Sequence, residues 1–295
     1  MVVERRDLSG PDDLDALQEF TRRTWTAVSR WHVGDIAWQF GQYDGPIPGT
    51  RTTLWHEDGR VLAAISAHGT ERQDGATLTF HADQARPDAA DTALAWAQTT
   101  YPDLSVSILE TEHHLAAALV RAGLRTDPGD DGPFFLAHRI TLDDTLPPAA
   151  SPPSGVTVRP VRDRAELHRR AALHREIWAP STVTDERYRT LSARPAYRME
   201  FDTVVEDDDG ELVSYCLGWY DDTNHAGLLE PIGTLAVHRR RGLARAAILR
   251  TLHAFRDAGA DTAIVYSRGD DGYPVPRHVY PTVGFTPYAR TRVYR

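Results

Sequence analysis

The 295-residue chain contains no lysine; all 33 of its basic side chains other than histidine are arginine. That absence removes Schiff-base lysines and the lysine of a nucleotide-hydrolase phosphate loop from the available chemistry. Cysteine occurs once, at Cys216, which excludes a disulfide framework and any multi-cysteine metal site. Its apolar neighbours on a strand mark it as a core residue. Asparagine also occurs once, at Asn224. Scarcity of both residues with AT-rich codons points to a GC-rich bacterial genome. No apolar run reaches the roughly 18 residues that span a bilayer, and the opening MVVERRDLSG has no signal-peptide core. The expectation is a cytoplasmic protein with no membrane partner.

Positive charge is in deficit, with 33 basic against 42 acidic residues and a formal net charge of −9. That sign opposes non-specific binding to nucleic acid. The 13 histidines show no HExxH spacing, and the one adjacent pair, His113-His114, faces two directions on a helix, so no metal is expected. What the chain does have is 41% hydrophobic residues over a length that suits two compact units. The clearest shift in composition is Thr141–Gly155, TLDDTLPPAASPPSG, which reads as an extended linker between a domain at 1–140 and another at 156–295. Asp13-Leu14 with Trp25 matches Glu166-Leu167 with Trp178, and Glu57–Leu62 matches Asp208–Val213. Ala122-Gly123-Leu124 likewise matches Val283-Gly284-Phe285. Three matches in order, at offsets of 151 to 161, indicate duplication of one unit.

Each unit reads as α+β. In the second, strands are expected at Val156–Val161, Val204–Val205, Glu211–Tyr220, Gly227–Thr234 and Thr262–Ser267, with helices at Arg164–Trp178, Leu243–Ala258 and Pro276–Val283. The chemistry sits in GTLAVHRRRGLARA, where a strand ends at Thr234 and a helix opens near Gly242. A helix start presents unpaired N–H groups and the positive end of its dipole. Gly242 allows close backbone approach, and Arg239, Arg240 and Arg241 add planar cationic donors, so the turn suits a phosphate.

This segment resembles the signature of the GNAT superfamily of acyl-CoA N-acyltransferases, Gln/Arg-x-x-Gly-x-Gly/Ala, filled here by Arg239-x-x-Gly242-x-Ala244. The family's later Tyr-x-x-x-Gly-Phe element is similar to Tyr280-Pro-Thr-Val-Gly284-Phe285. The resemblance covers 156–295 well and the first half faintly. It implies two tandem GNAT-like domains, each a mixed, mostly antiparallel sheet flanked by helices, with acetyl-CoA as co-substrate and no metal. It further implies that Ile232, Gly233 and Thr234 lie on a splayed strand facing the pantetheine arm. Arg239, Arg240, Arg241, Gly242, Leu243, Ala244 and Arg245 would cradle the pyrophosphate, and Tyr280 would protonate the departing thiolate. Glu230, two residues before Ile232, is the first candidate base, with Asp270 and Asp271 as second choices.

The expected reaction is direct N-acetylation of a primary amine on a small molecule. Alternatives are an acyl-CoA-binding sensor without turnover and a mycothiol-synthase-like enzyme. Acidic loops at Asp207–Asp209, Asp221-Asp222 and Asp270-Asp271 favour a cationic acceptor, while His32 and Trp178 are candidates to face its cleft. The family's asparagine in the last loop is replaced by Tyr273, which implies a reshaped wall. In the first half the corresponding loop, Phe80–Asp91, has no glycine, one arginine and several aspartates, so it is expected not to bind the cofactor. Such a covalent pseudo-dimer favours a monomer over a homodimer.

Overall fold

The computed structural model describes residues 3–43, 45–68, 76–126, 132–149 and 152–295. They fall into two compact units. The first comprises 1–32, 43–136 and 289–295, and the second 33–42 and 137–288.

The first unit runs β1 (Glu4–Asp7), α1 (Pro11–Thr24), β2 (Thr50–Glu57), β3 (Arg60–His68), β4 (Thr77–Ala82), α3 (Pro87–Thr100), β5 (Ser105–Leu109) and α4 (His113–Arg121); α2 (Val33–Phe40) folds with the second unit. The β1–β4 neighbours pair antiparallel, and β4 meets β5 in parallel only at Thr77–Leu78. The core joins Trp55, Ile65, Leu78 and Phe80 from the sheet to Ala90, Leu94 and Leu115 from α3 and α4.

The second unit contains α2, most of β6 (Phe135–Thr141), β7 (Val156–Pro160), α5 (Leu167–Ile177), α6 (Asp185–Ser192), β8 (Asp202–Asp207), β9 (Leu212–Asp221), β10 (Ala226–Thr234), α7 (Leu243–Asp257), β11 (Thr262–Arg268) and α8 (Val275–Val279). A short 3₁₀ turn, Tyr280–Val283, leads into β12 (Thr286–Tyr294). Its strand order is β6-β11-β10-β9-β8-β7, antiparallel except where β10 meets β11. Alternation along β9 sorts its side chains. Ser214, Cys216 and Gly218 face α7, where Thr251 and Phe255 pack on the glycine, while Tyr215 and Trp219 face α5 and α2. The α7 core gathers Leu243, Ala247, Ile248, Leu252 and Phe255, spaced as the helical period requires.

Two features depart from the expectation of contiguous halves. α2, which comes from the first half in sequence, packs on β9, and a Cβ on its Gly34 would lie 2.4 Å from Cβ of Trp219. Only glycine permits that approach. The last strands are also exchanged. In the first unit Thr291–Tyr294 of β12 pair antiparallel with Val106–Leu109 of β5, whereas β6 neighbours β11 in the second. The proline-rich stretch is no free spacer either. Leu142 and Leu146 are buried in the α7 core, Leu142 N–H donates to Asp261 O, and the Pro147 carbonyl bonds His253. Residues 150 and 151 of that stretch lie outside the described residues.

Candidate active site

The site begins where β10 leaves β11. Only Ala226–Leu228 pair with Thr262–Ile264, although β10 continues to Thr234 and β11 to Arg268. The pairing of β10 with β9 slips by one residue between Leu229 and Ile232, which makes a bulge of Glu230 and Pro231. The bulge breaks the two-residue alternation, so the sequence argument that Glu230 shares a face with Ile232 does not hold. The Glu230 carbonyl accepts from Trp219 Nε1 at 2.6 Å. Past the bulge, Leu235 N–H donates to Val213 O. The antiparallel ladder then turns the backbone groups of Gly233 towards β9 and those of Ile232 and Thr234 into the gap beside β11. Ser214 Oγ ties down the far side, donating to Gly233 O at 2.9 Å and lying 2.7 Å from Thr234 Oγ1.

A short 3₁₀ turn at Ala236–His238 follows, then the arginine turn. Arg240 has φ of 61° and Gly242 φ of 79°, a left-handed conformation that suits glycine. Gly242 caps α7 without a side-chain hydrogen bond, leaving the amides of the first turn with no intrahelical partner. Arg239 Nε donates to Thr234 O, Arg241 bonds His238, and Arg245 Nε donates to Thr282 O. None of Arg239, Arg240, Arg241 and Arg245 pairs with a carboxylate among the described residues. Leu243 anchors the helix in the core, and Ala244 keeps its first turn low.

The corresponding turn of the first unit is charge-matched within itself. Arg23 pairs with Asp83 at 2.6 Å, Arg86 with both Glu57 and Asp88, and Arg121 with Asp91 at 2.7 Å. There β4 and β5 also diverge, and His81 of β4 packs its ring 5.3 Å from Trp31. Burial, then the Arg30 charge, lowers the His81 pKa to about 3, which keeps it neutral.

Tyr280 is buried, its ring 5.5 Å from His138 of β6 and 6.0 Å from Phe285. Burial pushes its phenol well above the ordinary value, and the negative charge of Glu230 pushes the same way. Glu230 on β10 is thus within electrostatic reach of Tyr280. Of the second-choice bases, Asp270 is held by Arg268 at 2.7 Å, while the fully exposed Asp271 bonds Arg277 at 2.8 Å. The Arg268 hydrogen bond holds the Asp270 carboxyl below its usual range. The other acidic loops are occupied too. Asp207 accepts backbone N–H groups of Asp209 and Glu211 in its turn, and Asp221 accepts from Thr223 and Asn224. Cys216 is fully buried, and burial pushes its thiol up to about 12, which matches a core residue. His32 is fully buried in the first unit, 5.6 Å from Trp25.

The sequence reading missed a buried polar cluster on the opposite face of β9. Arg170 Nε donates to Asp202 Oδ1 at 2.8 Å, and both side chains are fully buried. Asp202 Oδ2 accepts from Tyr188 OH at 2.5 Å and Tyr197 OH at 2.9 Å. The Arg170 guanidinium lies over Tyr215, 3.4 Å from its ring centroid. The Tyr215 hydroxyl accepts from Trp178 Nε1 and lies 2.7 Å from His174 Nδ1. Burial and the Arg170 charge lower the His174 pKa to about 3, so its Nδ1 accepts the tyrosine proton. The signal was present as period-two alternation in β9 and as Arg170 and His174 one turn apart on α5.

Residues 169–285 match the model of the acetyltransferase (GNAT) family. The particular relatives are distant, and no curated protein matches in sequence. A tandem GNAT protein from the clavulanic acid biosynthesis pathway aligns over 99% of this chain and 98% of its own, at 16% identity and a TM-score of 0.61. A GCN5-related N-acetyltransferase from Sphaerobacter thermophilus aligns over 97% and 94%, at 16% identity and 0.60. A GNAT-family acetyltransferase from Colwellia psychrerythraea aligns over 99% and 98%, at 10% identity and 0.60. At these identities the likeness establishes the fold: a tandem arrangement of mixed α+β units with largely antiparallel sheets. Among the described residues no helix is long and apolar enough to cross a membrane, and no cluster of three or more potential ligands is placed to hold a metal.

Proposed function

We propose that the second unit transfers the acetyl group of acetyl-CoA to a primary amine of a small molecule, directly and within a ternary complex. The observation that carries this reading is the divergence of β10 from β11, ending in an arginine turn whose cations meet no carboxylate among the described residues. Those residues fit the donor. Arg239, Arg240, Arg241 and Arg245, with the N–H groups of Gly242, Leu243 and Ala244, hold the pyrophosphate. The outward backbone of Ile232 and Thr234 pairs with the pantetheine arm, with Gly233 between them, and one amide polarises the thioester carbonyl.

Glu230 removes a proton from the incoming ammonium, directly or through water. The amine then attacks, the C–N bond forms, the C–S bond breaks, and the second proton of the nitrogen passes through water to the departing thiolate, which leaves as the thiol. Sequence alone matched an ordinary phenol to the thiolate in basicity. The upward shift of Tyr280 alters that role: it stays protonated and donates a hydrogen bond to the sulfur as charge develops there. The first unit, its turn already neutralised internally, binds no donor in this reading. The chain acts as a cytoplasmic monomer.

Calorimetric titration of the full chain with acetyl-CoA tests the proposal, followed by thiol release across a panel of amines. One site of binding and amine-dependent thiol release are expected. Tyr280→Phe should leave donor affinity unchanged and slow turnover by about a hundredfold. A folded protein that does not bind acetyl-CoA refutes the reading.

A further inference from the structure

Resting on that reading, we propose that Trp178 and Tyr273 determine acceptor specificity, and that the acceptor carries an aromatic or similarly flat apolar group beside its amine. Trp178 follows α5 and borders β10: a Cβ on Gly233 would lie 3.2 Å from its Nε1. Tyr273 lies in the loop between β11 and α8, the helix that leads into Tyr280. The two rings stand 6.4 Å apart, edge to face. One ring comes from the segment after α5, beside β10, and the other from the loop after β11.

Both rings are large and open to solvent, at 40% and 37% exposure, and Val275 at 51% continues the apolar surface. Exposed aromatic area of this kind is uncommon unless something covers it. The indole is also fixed in place. Its N–H is held by the Tyr215 hydroxyl at 2.7 Å, which in turn bonds neutral His174. A buried hydrogen-bonded chain that orients a half-exposed ring gives a preorganised wall. Asp270, the less exposed of the two loop carboxylates, is bound to Arg268. Ring faces are what this mouth offers, and they suit another ring by offset or edge-to-face contact.

The test uses the full chain, acetyl-CoA, and three probe amines: tryptamine, spermidine and glucosamine. Wild type should release thiol with tryptamine at a kcat/KM at least tenfold above the other two. Trp178→Ala and Tyr273→Ala should each raise the KM for tryptamine about tenfold while leaving acetyl-CoA affinity unchanged. Trp178→Phe, which retains a ring, should recover part of the loss. Acetyl-CoA binding with spermidine or glucosamine preferred, or with no tryptamine turnover, overturns the acceptor assignment and leaves the acyltransferase reading standing. Turnover of tryptamine that neither alanine variant alters also overturns it. Failure of acetyl-CoA to bind overturns both.

Discussion

The Arg170–Asp202 pair makes an asymmetric prediction about which partner the second unit tolerates losing. Asp202→Asn leaves a guanidinium at 0% exposure without its counter-charge. Its Nη1 and Nη2 already find no acceptor among the described residues, so only the Tyr215 ring remains to it. Breaking a buried pair this way costs about 3–5 kcal/mol. Arg170→Met also leaves a buried charge unpaired, but the carboxylate keeps the hydroxyl donors of Tyr188 and Tyr197, so its cost should fall at the low end of the same range, about 3 kcal/mol. In the double variant the buried charge disappears from both sides, so Arg170→Met should rescue Asp202→Asn instead of adding to it. Urea denaturation followed by circular dichroism reads these differences. With a slope of about 2 kcal/mol per molar, Asp202→Asn should lower the midpoint by roughly 2 M and the double variant by clearly less. A double variant at or below Asp202→Asn, or Arg170→Met as the worse single change, would refute the claim that an unpaired cation dominates the cost.

Three further outcomes follow from the same geometry. Burial raises the Glu112 carboxyl to about 7 although it accepts N–H groups of Arg30 and Leu109. A raised folded-state value stabilises below the unfolded pKa of about 4.5 and is lost as pH climbs through 7. The first unit should therefore weaken by about 3 kcal/mol between pH 5 and 8, and Glu112→Gln should flatten that slope in pH-dependent melting. Gly242→Glu should cut acetyl-CoA affinity tenfold to a thousandfold, since unit charges about 4 Å apart repel by about 1 kcal/mol in water and about 4 near a protein surface. Gly242→Ala, facing only Pro153 at 4.0 Å, should cost affinity far less; equal titrations for the two would contradict an anion cradle. A fragment of residues 156–295 lacks β6 and α2 and should fail to give a cooperative transition, whereas a folded fragment in circular dichroism would show these elements to be dispensable.

Local signals carried much of the fold into view from sequence. The apolar period of Leu243–Asp257 and the stop at Gly259 gave α7 almost to the residue, and alternation gave β7 to β11 within a few residues. The arginine turn was legible because glycine and charge sit together in a short segment. What escaped depends on partners distant in sequence. α2 belongs with β9 because Gly34 fits Trp219, and nothing near Gly34 announces a tryptophan some 185 residues later. The bulge at Glu230–Pro231 removed an argument from alternation that the residues themselves supported. Some carboxylates of the acidic loops, Asp207, Asp221 and Asp270 among them, close turns or bind arginine, and composition does not distinguish these from available ones.

The exchange of last strands also bears on how the chain is made. β5 pairs with residues synthesised about 180 positions later, Thr291–Tyr294 against Val106–Leu109. At about 5–20 residues per second, a ribosome adds that stretch in roughly 10 to 40 s. The first unit cannot finish its sheet as it emerges; the edge of β5 waits, open to mispairing, until nearly all of the chain is out. Chaperone dependence should fall on the interval before β12 appears.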